Sequence, residues 1–72
     1  MEIMFLGMTK QEARRALEVK IGEVRMARRS ERVELVVGKH VVKDTIEGEL
    51  RSYGFNWCDR YDNEGVIVTT IE

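Results

Sequence analysis

The apolar residues of this chain alternate between two spacings, and that alternation constrains the fold more than any other feature. Four short apolar, β-branched or aromatic runs are typical of strands: residues 3–6, 32–37, 56–61 and 66–71. Residues 13–27 and 42–53 instead carry apolar side chains every three or four positions, which is the spacing of one helix face. The predicted order of elements is therefore β-α-β-α-β-β.

Seventy-two residues are enough for a single domain, predicted to span residues 1–72. A strand–helix–strand order implies right-handed crossovers between parallel strands. Because two helices accompany one small sheet, the sequence predicts an α/β two-layer sandwich, a mixed sheet with two helices on one face. The other face would stay open as a candidate docking surface. Residues 3–6 are apolar on both faces and are predicted as a strand buried on both sides.

Local signals predict where the helices begin and end. Thr9 and Glu12 form the capping-box pattern, in which each side chain binds the backbone N–H of the other residue, so the first helix is predicted to begin there. Its end is predicted near Arg29, and Gly22 within it is interpreted as a point where another element approaches closely. Gly54 is predicted to cap the second helix.

The formal net charge of −1 hides a strong asymmetry along the chain. Residues 10–32 carry eight Lys or Arg and four Glu, a net charge of +4. Residues 33–72 carry four Lys or Arg and eight Asp or Glu, a net charge of −4. Such a charge dipole suits a nucleic-acid face, an acidic protein partner or self-association as a homodimer.

The expected compartment follows from apolar run length and cysteine content. No uncharged run approaches the roughly 20 residues that a membrane-spanning helix needs, so no membrane partner is expected. The start of the sequence lacks the basic segment of a secretory signal. The single cysteine, Cys58, has no partner for an internal disulfide, which favours a reducing compartment and predicts the cytoplasm.

The first predicted helix presents a narrow arc of arginines, called here the arginine face: Arg14, Arg15, Arg25 and Arg29. A planar guanidinium binds phosphate or carboxylate through paired hydrogen bonds, so this face suits nucleic acid, RNA or DNA, or an acidic protein surface. The alternative is a solvated helix face with Glu–Arg pairs.

Gly38, Lys39 and His40 lie between the second predicted strand and the second predicted helix. Backbone N–H groups and the positive end of the helix dipole point toward such a loop, so it is predicted as a second phosphate contact. The alternative is an ordinary turn. The loop is not a nucleotide-binding Walker A loop, because the upstream glycine of that motif is absent.

The sequence offers little support for catalysis, a metal or a cofactor. His40 is the only histidine and Cys58 the only cysteine, and neither has the further ligands or the neighbouring base that a metal site or a nucleophilic thiol needs. Phe55, Trp57 and Tyr61 are predicted on one face of the third strand, if that strand is regular. Packing is favoured for them over a stacking platform for bases.

The whole pattern resembles the small MutS-related (Smr) domain family. That family opens with a strand ending in Asp-x-His-Gly before a Glu-Ala helix start, which residues 3–13 resemble. Its second strand ends in a His-Gly-x-Gly loop, which residues 37–40 resemble. The resemblance implies an α/β sandwich like the C-terminal domain of a translation initiation factor, with a surface that faces nucleic acid.

The residues that carry this family's nucleic-acid cleavage are replaced here. Met4 and Leu6 stand at the family's first Asp and His. Val37 stands at its loop His and His40 at its second loop Gly. Because apolar side chains supply no acid, base or metal ligand, no enzymatic activity is expected.

The predicted function is a non-catalytic module that binds nucleic acid through the arginine face and the loop 38–40. One alternative is a protein–protein adaptor or inhibitor that docks on a larger enzyme or self-associates. A residual hydrolase is the third possibility.

Overall fold

The computed structural model describes residues 1–38 and 40–72. The elements follow the predicted β-α-β-α-β-β order, which is thereby confirmed. Their bounds are β1 Glu2–Met4, α1 Lys10–Met26, β2 Glu31–Val36, α2 Val41–Tyr53, β3 Trp57–Arg60 and β4 Asn63–Ile71.

The four strands form one mixed sheet in the order β1-β2-β4-β3. β1 pairs with β2 in parallel, and β4 pairs antiparallel with both β2 and β3. β2 and β3 therefore run in the same direction with β4 between them. The strands β1, β2 and β3 end at one edge of the sheet, called here the carboxyl edge. They begin at the opposite edge, the amino edge, where β4 ends.

Both helices pack against one face of the sheet, which confirms the predicted α/β two-layer sandwich. One cluster of buried side chains joins them: Leu17 and Ile21 of α1, Ile46 and Leu50 of α2, and Val33, Leu35 and Ile67 of the sheet. Leu35 and Ile67 are register partners on neighbouring strands, so both face the helices. Burial of this apolar surface is the main force that holds the two layers together.

The ends of the helices agree only in part with the predictions. The Glu12 backbone N–H donates to the Thr9 hydroxyl over 3.2 Å, and the Thr9 N–H donates to Glu12 Oε1 over 2.9 Å, so the capping box is confirmed. Gly54, with φ of 80°, ends α2 as predicted. The predicted end of α1 near Arg29 is wrong, because Arg28 adopts a left-handed backbone and the helix ends at Met26.

The interpretation of Gly22 as a close-approach point is wrong as well. Among the described residues, no other element comes within 4 Å of the position that a Cβ on Gly22 would take. Gly22 is exposed, on the side of α1 that faces away from the sheet.

The prediction that the first strand is buried on both sides is wrong, because β1 is an edge strand. Met4 and Leu6 keep 52% and 55% of their surface exposed, while Phe5 between them is fully buried. The physical reason is that β1 has one neighbouring strand and that the helices cover only one face of the sheet.

The third strand is irregular, which separates the aromatic residues predicted to share one face. The register of β3 against β4 shifts between Asp59 and Arg60, and Tyr61 lies in the following turn, fully exposed. Phe55 is part of the buried core, and Trp57 packs against it. Packing, the favoured role, is therefore confirmed for Phe55 and Trp57, whereas Tyr61 contributes to neither the core nor the strand.

The sheet face opposite the helices is crossed by an ion pair. Arg60 of β3 donates from Nη1 to Glu34 Oε1 of β2 over 3.1 Å, so its side chain passes across β4. Val66 of β4, on that face by its pairing with Val36, is buried. The open face predicted from the fold therefore exists, but charged side chains lie across part of it.

Candidate nucleic-acid interface

A concavity rich in arginine lies at the amino edge of the sheet, where α1 ends, β2 begins and β4 ends. Its volume is about 410 Å³. Five residues line this arginine concavity: Arg25, Arg28, Arg29, Ser30 and Glu72. Three of the five are arginines and one, Glu72, carries a carboxylate, so the lining residues have a net positive charge.

Arg25 is held in one orientation by two kinds of contact. Its Nε donates to the backbone carbonyl oxygen of Glu72 over 3.1 Å. Its Cζ lies 5.1 Å from the centre of the Tyr53 ring and 5.6 Å from that of Phe55. The two rings are themselves stacked, with centroids 5.7 Å apart and planes 7° from parallel.

These contacts hold the guanidinium of Arg25 in place without any bound anion. Nε is already bonded, while the two terminal nitrogens have no carboxylate partner in the part of the chain that the structure describes. Less side-chain entropy is lost when a ligand binds a group that is already fixed. Cation–π contact with the rings adds to the fixing of the side chain.

Arg28 enters the concavity through an unusual backbone conformation. The Arg29 N–H donates to the Val24 carbonyl over 3.5 Å and the Arg28 N–H to the Arg25 carbonyl over 3.0 Å. These two bonds form a Schellman motif, whose left-handed position is commonly glycine. Arg28 fills it with φ of 55°. An L-residue with a side chain is strained there, so the fold tolerates a cost to place an arginine at this point.

Arg29 is partly neutralised by the strand that follows it. Its Nη2 lies 3.1 Å from Glu31 Oε2, and Lys20 Nζ lies 3.3 Å from the other oxygen of the same carboxylate. Burial by itself raises the pKa of the Glu31 carboxyl, but hydrogen bonding and charge from Lys20, and then from Arg29, lower it on balance. Arg28, in contrast, has no ion pair within residues 1–38 and 40–72.

The four residues of the arginine face are spread along α1 and the segment that follows it. Arg14 lies about 16 Å before Arg25 along the helix axis, at 1.5 Å per residue. Arg14 Nε makes an ion pair with Glu49 of α2 over 3.0 Å. Arg15 and Arg14 line a separate concavity of about 440 Å³ together with Gln11 and Glu18. The structure therefore brings Arg25 and Arg29 together and leaves the other two near the start of α1.

Gly38 and His40, two of the three residues of the predicted second phosphate contact, lie at the opposite edge of the sheet. β2 has six residues and is about 20 Å long. Glu31, which binds Arg29, is its first residue, and Gly38 lies two positions after its last residue. Gly38 has φ of 69° and its N–H donates to the Gly65 carbonyl over 3.0 Å. His40 is exposed with φ of 70°, and its side chain makes no capping hydrogen bond. Lys39 lies outside the described residues.

Several residues at this concavity were not predicted as site residues, among them Arg28, Tyr53 and Glu72. Arg28 carries a local signal, because the run Arg28-Arg29-Ser30 follows the last apolar position of α1. Tyr53 and Glu72 carry none, because they reach Arg25 only through the packing of α2 on α1 and the position of β4 in the sheet.

Comparison with known proteins finds no family model that matches the chain and no curated protein similar to it. Among the described residues, no group of three His, Cys, Asp or Glu side chains is placed to hold a metal ion. Within the same residues, neither helix has the length and apolar character needed to cross a bilayer.

Proposed function

We propose that this chain is a non-enzymatic module that binds nucleic acid through the arginine concavity. The observation that carries the proposal is the fixed guanidinium of Arg25, a residue that lines the same concavity as Arg28 and Arg29. Guanidinium groups bind phosphate oxygens through short, charge-assisted, paired hydrogen bonds. Three of them around one concavity suit the sugar–phosphate backbone of RNA or DNA.

The carboxyl edge supports the non-enzymatic part of the proposal. Met4 and Leu6, which stand where the Smr family has its first Asp and His, are exposed apolar side chains. Neither can move a proton or bind a metal ion. We propose a distant Smr-like relationship on the order of the elements, in which the family's catalytic positions are replaced and the nucleic-acid surface lies at the amino edge. A cytoplasmic location is part of the same proposal, since Cys58 is a free, exposed thiol.

A second candidate function is self-association through β1. This strand is at the edge of the sheet, and exposed apolar side chains lie in it at Met4 and beside its two ends at Met1 and Leu6. An edge strand with apolar neighbours is a surface on which a second protein, including another copy of this chain, can add a strand.

The first proposal is tested by the salt dependence of binding to a labelled single-stranded oligonucleotide. The double variant Arg25→Gln with Arg28→Gln removes two phosphate contacts, so the slope of log affinity against log salt falls in magnitude by about 1.4 for a single strand. The matched control, Arg14→Gln with Arg15→Gln, removes the same charge near the start of α1 and leaves that slope unchanged. Fluorescence anisotropy over a salt series measures both. Absence of binding at about 50 mM salt, or an equal loss in the control, refutes the proposal.

A further inference from the structure

The outer side of α1 carries apolar side chains that the rest of the described chain leaves exposed. Val19 and Met26 keep 56% and 87% of their surface accessible to solvent. At 100° per residue, these two side chains share an arc of about 60° with Arg15 and Gly22. This arc lies opposite the buried side of α1, so these four residues, called here the outer stripe, lie on the side away from the sheet.

Gly22 lies in the middle of the outer stripe, where the described part of the chain gives no reason for a glycine. Among the described residues, no other element lies within 4 Å of the position that its Cβ would take, and its φ is not positive. A glycine in a helix interior destabilises the helix relative to alanine. A missing side chain also lets a second backbone approach closely. An exposed glycine between two exposed apolar side chains therefore favours contact with a helix of another molecule.

The charges along α1 indicate that this other molecule is a second copy of the chain. Arg15 and Glu23 lie four residues before and four residues after Val19, on one ridge of the helix surface. Within residues 1–38 and 40–72, neither of these two exposed side chains has an ion-pair partner. When two copies of the ridge run antiparallel about Val19, each Arg15 lies beside Glu23 of the other copy. The ridge is thus complementary to itself, as a twofold interface requires.

We propose that the outer stripe of α1 is the interface of a weak homodimer, in which two α1 helices pack antiparallel with Val19 at the twofold axis. In the commonest helix–helix geometry, ridges of residues four apart pack into the grooves between such ridges. This geometry places Val19 of each copy over Gly22 of the other, and Met26 on the aliphatic part of Arg15. One helix pair buries less than about 1,200 Å², which is the size class of weak, transient contacts.

The dimer does not depend on the proposed function and leaves the arginine concavity accessible. Arg25 lies about 100° around the helix axis from Met26, with its Cζ 5.1 Å from the ring of Tyr53 in α2. Self-association and oligonucleotide binding therefore use different sides of α1, and either one can fail while the other stands.

The first test is sedimentation equilibrium of the full chain over about 10 μM to 1 mM. We expect a monomer–dimer equilibrium, which Gly22→Gln weakens about tenfold or more because a side chain now fills the point of closest approach. Glutamine is a better helix former than glycine, so the variant keeps its fold, which urea unfolding verifies. The matched control is Gly48→Gln, the same change at an exposed glycine of α2, which leaves the dimer affinity unchanged. A monomer at every concentration, or equal weakening by both variants, overturns the proposal.

Charge reversal tests the antiparallel arrangement itself. Arg15→Glu and Glu23→Arg each place like charges side by side and weaken the dimer about fivefold. The double variant Arg15→Glu with Glu23→Arg restores both pairs in reverse and returns the affinity to within about twofold of the unaltered chain. The two positions are about 12 Å apart along one helix, so restoration requires contact between two copies. A double variant as weak as the single variants refutes this interface, and so does an association that Met4→Gln with Leu6→Gln abolishes and Gly22→Gln does not.

Discussion

Arg28 occupies a backbone conformation that costs an arginine free energy, and it does so at the rim of the arginine concavity. Glycine adopts this conformation without the steric clash of a Cβ. We predict that Arg28→Gly raises the free energy of unfolding by up to about 1 kcal/mol and weakens binding of the oligonucleotide. Urea unfolding and anisotropy on the same samples measure the two effects.

Gly54 provides the matched control for Arg28. It ends α2 with φ of 80° and the same pair of backbone bonds, from Gly54 to Arg51 and from Phe55 to Leu50. Gly54→Ala is expected to lower the free energy of unfolding by about 1 kcal/mol, the opposite sign from Arg28→Gly. A loss of stability in both variants would show that Arg28 is not strained.

The first turn of α1 is the element whose stability depends most clearly on a local motif. The side chains of Thr9 and Glu12 each accept a hydrogen bond from the backbone N–H of the other residue. Thr9→Ala removes one of these bonds and is predicted to lower the free energy of unfolding by about 1 kcal/mol. Thr9→Ser, which keeps the hydroxyl, is expected to lose much less. Thermal or urea unfolding separates the two, and equal losses would contradict the role of the hydroxyl.

The same turn predicts a pH dependence. The hydrogen bond from the Thr9 backbone holds the pKa of the Glu12 carboxyl below its ordinary value of 4.5. The unfolded chain then binds a proton more readily than the folded one, so this contribution to stability is present above the unfolded pKa and disappears as the pH falls through the folded pKa. The stability difference between the unaltered chain and Glu12→Gln should therefore shrink on acidification below about pH 5. A difference independent of pH would show that the carboxylate is not bound there.

At the scale of the whole molecule, the two candidate surfaces lie at different places and should be separable. Met4 and Leu6 are at the carboxyl edge, about 20 Å from the arginine concavity by the length of β2. We predict that Met4→Gln with Leu6→Gln leaves affinity for the oligonucleotide unchanged. If the chain self-associates through β1, the same variant lowers its sedimentation coefficient toward that of a monomer. Analytical ultracentrifugation and anisotropy report on the two surfaces independently.

Structural features formed by residues close together in the sequence could be predicted from it, whereas contacts between distant elements, which depend on helix packing and on strand order, could not. The capping box and the Gly54 cap are contacts between residues within five positions, so their patterns were sufficient. The arginine face was predicted from angular spacing alone, which ignores the rise of about 16 Å between Arg14 and Arg25. The contact of Arg25 with Tyr53 requires the packing of α2 on α1, its contact with Glu72 requires the position of β4 in the sheet, and no local pattern contains that information.

The central position of β4 also sets the order in which this chain can fold. β4 is the last strand to be synthesised, yet it supplies the hydrogen-bonding partner for both β2 and β3. A nascent chain that ends before residue 63 has β1 and β2 as its only paired strands, and β3 has no neighbour. β4 can pair with β3 across the short turn between them, whereas its pairing with β2 joins residues 30 to 40 positions apart and is therefore the slower step. The arginine concavity at the amino edge can form only after that pairing.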